Sequence, residues 1–392
     1  MKNFLLIVFI FQLICLIYCP ALAKSEAPKL TPAVRKAVYG AQQAMEKKDY
    51  GKAEEYLKKY VQKYPQKSHY LVEFILGNTL ALMGKEREAL SHYKTSAHLY
   101  PDYAAIWQNM GKIFFDLKQY EQAGDCLLKA YETDEKKDPS ALYNVAAFYI
   151  MAGKEKKALP HLKYLSSGEI GPPKQKWLEA LLKVYMDLQL KEKAFEVIHR
   201  LLEKNGNDPR WWKLLAQFHL QENDYKKAVT ALTIHSYLGS ISREDIMLLG
   251  DLTNAIGIPL KAAEYYERAL SLSNNPAGYE KLASAYITAC KMSNAIDALN
   301  RALKEKPTSK LWFMMGQVLY EIEEFDKAYN AFDQSARLNL KDGRPHLMMG
   351  YCALQVDNNE MAVKALHQAT HFPRQRKMAK KLLRQLALWK EK

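Results

Sequence analysis

Small and large apolar positions recur along this chain on a period close to 34 residues, and that period predicts its elements. Ala53, Ala89, Ala123, Ala158, Ala194, Ala228, Ala262, Ala295, Ala328 and Ala362 follow one another at gaps of 36, 34, 35, 36, 34, 34, 33, 33 and 34. Twelve residues before each stands Ala41, Gly77, Gly111, Ala146, Leu182, Ala216, Gly250, Ala283, Gly316 or Gly350, of which only Leu182 is large. Four residues after each the position is bulky: Leu57, Tyr93, Leu127, Leu162, Ile198, Leu232, Tyr266, Leu299, Phe332 and Leu366. Steps of three and four place side chains on one face of a helix. Two helices per repeat account for the pattern if a small residue on each lets the backbones approach while bulky neighbours fill the flanks. Helix pairs are therefore expected to start near residues 34, 70, 104, 139, 175, 209, 243, 276, 309 and 343, with turns such as Lys48-Asp49 and Asn223-Asp224 inside the pairs. Alternating strand patterns hardly occur, so the fold class is all-α.

Within single repeats the order of large, small and aromatic residues resembles the tetratricopeptide repeat. Trp107-Gln108-Asn109-Met110-Gly111, Tyr120, Ala123 and Ala130 make one copy, and Trp312-Phe313-Met314-Met315-Gly316, Phe325, Ala328 and Phe332 make another. Pro65, Pro101 and Pro307 follow second helices where that family often has proline. The resemblance covers residues 34 to 372 and implies a right-handed superhelical solenoid of about ten helix-turn-helix repeats. Leu182 departs from it, as do weak first helices at both ends.

The ends of the chain differ from the array. Lys2, the apolar run Phe4 to Tyr18 and Ala21-Leu22-Ala23 have the layout of a secretory signal peptide spanning residues 1–23. The expected location is the periplasm; an uncleaved inner-membrane anchor and a lipoprotein through Cys19 are the alternatives. Residues 24–33 form a short leader, 34–165 four repeats, 166–174 a Gly/Pro break and 175–373 six more repeats. In the last segment, 374–392, Met378, Leu382, Leu386 and Trp389 form an apolar stripe suited to capping the array. That segment also carries Arg374, Arg376, Lys377, Lys380, Lys381, Arg384, Lys390 and Lys392 against Glu391 alone. The whole chain has a net charge of +14 and this segment holds a disproportionate share of it, which suits an anionic envelope polymer, a membrane surface or an acidic protein. Nucleic acid is disfavoured by the export signal.

Chemistry is sparse by comparison. No His-Glu-x-x-His, phosphate loop, Gly-x-Ser-x-Gly elbow or dinucleotide fingerprint occurs, so no metal, cofactor or catalytic residue is implied and an enzyme is not expected. Cys126, Cys290 and Cys352 would remain after signal removal and are expected inside repeat helices as small buried residues.

Function then falls to a surface. In tetratricopeptide proteins the first helix of each repeat lines a groove, and that resemblance assigns it Phe74, Asn78, Gln108, Asn109, Lys112, Phe115, Tyr143, Asn144, Lys176, Lys183, Arg210, Lys213, Gln217, Lys310, Phe313, Gln317, Tyr320, Arg344 and Tyr351. Glu179, Glu244, Asp251 and Glu280 interrupt this basic, aromatic set. An extended or helical partner segment with acidic and apolar groups would suit it. Asn109, Asn144 and Lys176 fall on three slots that resemble the carboxylate clamp of chaperone-binding members, although Ala105 and Ala180 stand where that clamp wants a base. Pro209-Arg210-Trp211-Trp212-Lys213-Leu214-Leu215-Ala216, Leu249-Gly250-Asp251 and Pro259-Leu260-Lys261-Ala262-Ala263 are similar to exported repeat proteins that accompany TonB, ExbB and ExbD energy transducers. The implied function is a periplasmic protein-binding scaffold, in energised transport or envelope assembly; the alternative is an anionic-surface binder acting through the basic tail.

Overall fold

A computed structural model describes residues 26–273 and 276–390, the side chains of residues 276 and 388–390 excepted. The expected signal segment 1–23 and the Trp389 side chain lie outside the described residues. Among those described there is no strand, and twenty-one α-helices follow one another with one 3-10 turn, Pro65–Lys67. The chain divides into two compact units, Met1–Lys204 and Asn205–Lys392. The first unit holds α1 (Pro32–Glu46), α2 (Tyr50–Lys63), α3 (Tyr70–Leu82), α4 (Glu86–Leu99), α5 (Ala104–Asp116), α6 (Tyr120–Thr133), α7 (Pro139–Met151), α8 (Glu155–Ser166), α9 (Gln175–Asp187) and α10 (Lys191–Lys204). The second holds α11 (Pro209–Gln221), α12 (Tyr225–Leu238), α13 (Arg243–Ala255), α14 (Pro259–Leu272), α15 (Pro276–Thr288), α16 (Met292–Glu305), α17 (Ser309–Glu321), α18 (Phe325–Leu338), α19 (Arg344–Gln355), α20 (Asn359–Thr370) and α21 (Pro373–Lys390). The Gly-Pro stretch joins α8 to α9 inside the first unit, and the division falls after the fifth helix pair.

Within each unit every helix packs on its chain neighbours, making an α-solenoid of stacked pairs. All ten periodic alanines have 0% exposure. The small slot on the first helix turns out to be a seat for the bulky residue four beyond the alanine. A Cβ on Gly77 would lie 2.6 Å from the Tyr93 ring, and one on Gly316 would lie 2.6 Å from the Phe332 ring. At Gly111 the occupant is Leu127, and the Ala123 carbonyl oxygen comes within 3.4 Å of such a Cβ, so the backbones approach as well. Truncating the fully buried Phe332 to alanine would cost ~3–5 kcal/mol.

A second period, only faintly marked by residue type, is visible in the backbone. Lys48, Gly84, Lys118, Gly153, Gln189, Asn223, Gly257, Cys290, Glu323 and Asp357 all have positive φ, and each lies five residues before a periodic alanine. The left-handed conformation at this one residue reverses the chain between the two helices of a pair. Asp49 and Asp224 then cap the second helix, accepting from the backbone N–H of Lys52 and Lys227.

Two expectations are corrected here. Cys126 and Cys352 are buried, and burial pushes both thiols up to about 12. Cys290 is instead exposed, because it occupies a left-handed turn position outside the helices. On α21 the buried face is built by Ala379 and Leu386 with Leu382 and Leu383 at its sides. Met378 is 43% exposed, because steps of four drift around a helix of 3.6 residues per turn and Ala379 takes the inward place.

Candidate functional site: the first-helix face of each unit

In the first unit the odd-numbered helices α3, α5, α7 and α9 present one side of each repeat. Asn78, only 5% exposed, accepts from the Tyr93 hydroxyl at 2.6 Å and from the Asn109 amide at 2.7 Å. Phe74 is buried between the Tyr93 and Tyr103 rings, with centroids at 5.9 and 5.2 Å. Neither faces outward as expected, because Tyr93 swings into the Gly77 seat and gathers both residues around it. Farther along, Gln108 and Lys112 are exposed on α5, and Phe115 stacks on Phe148 of α7 at 5.1 Å. Tyr143 and Asn144 on α7 are half-buried. The Lys176 ammonium from α9 sits 4.8 Å from the centre of the Tyr143 ring. Burial, and then the charge of Glu179, push the Tyr143 phenol up. Glu179 accepts from Gln175 at 2.8 Å. Lys183 pairs with Asp187 on its own helix at 2.5 Å, an exposed contact that contributes little.

The second unit arranges the same positions around charge. Lys213 on α11 reaches Asp245 on α13 at 2.6 Å. Burial pushes Asp245 up, but hydrogen bonds from Lys213 and Ser242 outweigh it and hold the carboxyl below its ordinary value. Asp251 accepts from the Tyr266 hydroxyl at 2.8 Å and from Lys281 on α15 at 2.7 Å. Glu280 pairs with Lys310 on α17. Arg344 hooks both oxygens of Asp342 and lies 4.8 Å over the Phe313 ring. Arg210 grips Asp208 in the same way, and its side-chain hydrogen bonds, partly opposed by burial, hold that carboxyl down. Gln217 and Gln317 are exposed, Tyr351 is half-buried, and Tyr320 packs its ring on Phe325 at 5.3 Å. Glu244 is exposed, 3.8 Å from Arg243.

Two registers explain these pairings. A base six residues before a small slot lies over the residue three before the slot of the preceding repeat: Lys176 on Tyr143, Lys310 on Glu280 and Arg344 on Phe313. A tyrosine four beyond the alanine bonds the residue after the small slot, which also receives a donor from the next first helix. Tyr93, Asn78 and Asn109 do this in the first unit, and Tyr266, Asp251 and Lys281 in the second. Bases and aromatics that appear in sequence as separate binding groups are therefore often each other's partners. Asp245, Lys281 and Phe148 were missed for the same reason: nothing marks them until repeats are stacked. Asp208 and Asp342 had a signal, an Asp two residues before Arg at a helix start. Of the clamp-like slots, Asn109 is engaged by Asn78, and Ala180 is buried rather than facing a ligand.

A separate open hollow of ≈ 460 Å³ in the first unit is lined by Leu128, Tyr131 and Glu132 of α6, Lys137, Leu142 of α7, and Pro160, His161 and Tyr164 of α8. Lys137 donates to the carbonyls of Tyr131 and Glu132 at 2.8 and 2.7 Å and so caps α6. Burial lowers the basicity of His161.

The tetratricopeptide repeat model matches residues 104–137, which span α5 and α6. A protein of Bos taurus, BBSome complex member BBS4, is 22% identical over 294 residues, covering 73% of this chain and 54% of the relative. The chain thus spans about half the length of that curated relative. A crystal structure of MamA is 22% identical, covers 42% of this chain and 92% of its own, and gives a TM-score of 0.39. The Cut9-Hcn1 hetero-tetramer of the APC/C is 14% identical, covers 91% and 96%, and gives 0.33.

Proposed function

We propose, from the premise that the chain is a tetratricopeptide repeat protein, that it is a non-enzymatic scaffold of the periplasm that holds a partner protein segment against the first-helix face of its first unit. Repeat scaffolds of this kind generally bind proteins. The observation that carries the reading is the run from α5 to α9, where Gln108 and Lys112 are exposed and Lys176 sits over the half-exposed Tyr143 ring. An ammonium on an aromatic face still offers N–H donors to a carboxylate, and the ring edge offers an apolar anchor. A segment that alternates acidic and apolar side chains fits both. In the second unit Lys213, Lys310 and Arg344 already have carboxylate partners, which leaves less charge for a visitor.

Export rests on residues 1–23, and a place beside TonB, ExbB and ExbD rests on the motifs around Arg210 and Asp251; both belong to this proposal. The Bos taurus relative carries the name of a complex member, in keeping with work inside an assembly. Photocrosslinkers placed at Lys112 and Tyr143 in intact cells should capture one protein, with far less capture from Gln217. Equal capture at all three positions, or none at the first two, would sink the first-unit site. Mature protein beginning at Lys24 is the expected product of N-terminal sequencing; a chain retaining Met1 would remove the cleaved-export part of the reading.

A further inference from the structure

The terminal helix α21 carries charge that nothing in the described structure balances. Its sequence, from Pro373 to Lys390, contains no acid. Arg374, Lys377, Lys380, Lys381 and Arg384 are all exposed, and none forms an ion pair among the described residues. At 100° per residue they lie within about 120° of arc, centred opposite the buried Ala379 and Leu386. Arg376 falls outside this stripe, and its Nε donates to the Thr370 carbonyl at 3.0 Å. Elsewhere in the second unit several bases do have carboxylate partners, as with Lys213, Lys281 and Lys310. A straight row of five unpaired bases is costly to a folded domain through self-repulsion, yet here it occupies the outer side of one helix.

We infer that this stripe docks the protein on a bilayer surface rich in anionic lipid headgroups. A flat anionic sheet can meet all five bases at once, because they share one side of a straight helix. Met378, 43% exposed at the stripe's margin, adds an apolar side chain suited to the headgroup boundary rather than to an aqueous polyanion. The long stems of lysine and arginine let their charges remain at headgroup level while the helix lies along the surface. The docking is independent of the first-helix face, so the scaffold and its segment partner can be held together at a membrane.

Cosedimentation of the full chain with phosphatidylcholine vesicles, with and without phosphatidylglycerol, tests this. Anionic vesicles should bind more tightly than neutral ones, and the difference should shrink as salt rises. K377Q/K381Q/R384Q should lower the anionic preference by about 100-fold, a factor near five for each base close to an anionic leaflet. Because these side chains point outward, melting should stay unchanged; R374Q/K380Q, with different helix contacts, should weaken binding in the same direction. Unaltered preference in both variants overturns the inference, and so does duplex DNA binding as tightly as anionic vesicles at equal salt.

Discussion

At one structural register the two units solve the same problem with different chemistry. Tyr93, Asn78 and Asn109 join successive first helices through neutral groups, while Tyr266, Asp251 and Lys281 do so through an acid and a base. Geometry is shared, since the tyrosine seat and the small slot recur in both. Charge is not. The amide version leaves the neighbouring Lys112 and Lys176 without carboxylate partners, whereas the charged version leads into a ladder of Lys213 with Asp245 and Lys310 with Glu280. A repeat architecture can thus keep its packing and change which faces remain open to a partner.

The largest test of this contrast is on affinity. Y143A/K176E should weaken binding of the captured segment by about 30-fold or more, as expected when an aromatic anchor and its base are lost together. Q217A/Q317A should change it less than about twofold. Titration calorimetry reads both, and similar losses would erase the distinction between the units.

A smaller effect is expected on stability. K213M leaves Asp245, 9% exposed, with only Ser242 and should cost ~1–3 kcal/mol. K176M removes a cation from an aromatic ring and should cost less than ~1 kcal/mol. Hydrogen exchange followed separately in each unit distinguishes local loosening from a global change.

Acid sharpens the comparison further. Asp245 is held below its ordinary 3.8, so its contribution is present above that pH and is lost as pH falls through the lower folded value. Exchange protection in α11 and α13 should therefore drop below about pH 3.8, and K213M should flatten that slope. The Lys176 and Tyr143 contact is a cation on a ring rather than an ion pair and should follow that curve less closely.

The smallest predicted effect is common to both units. Q189G and E323G replace side chains held at φ of 58° and 63° and should each stabilise by ~0.5–1 kcal/mol in thermal melts. A gain in only one unit would mean that the turns are less alike than their backbone suggests.

Much of the fold was legible because close packing leaves a compositional trace. Ala53 through Ala362 had to be small, and Tyr93 or Phe332 had to be large, so spacing alone located the helix pairs. The left-handed turn five residues ahead of each alanine left a much weaker trace. Glycine holds it three times, but lysine, asparagine, glutamine, cysteine, glutamate and aspartate occupy the other seven, since the turn is imposed by the two helices it joins. Among site residues, Gln108 and Lys112 stand exposed where expected, while Phe74 and Asn78 are withdrawn by contacts with Tyr93 that no spacing rule anticipates.

By itself the sequence determined the all-α class, the repeat period and the residues that could pack, because small and bulky side chains are selected wherever helices touch. Tertiary structure alone decided which polar groups remain available. Partners such as Lys176 with Tyr143 or Lys281 with Asp251 lie 33 and 30 residues apart and meet only when one repeat is stacked on the next. Whether a charge faces a neighbour or a visitor depends on that stacking distance and angle, and neither is written in a single repeat.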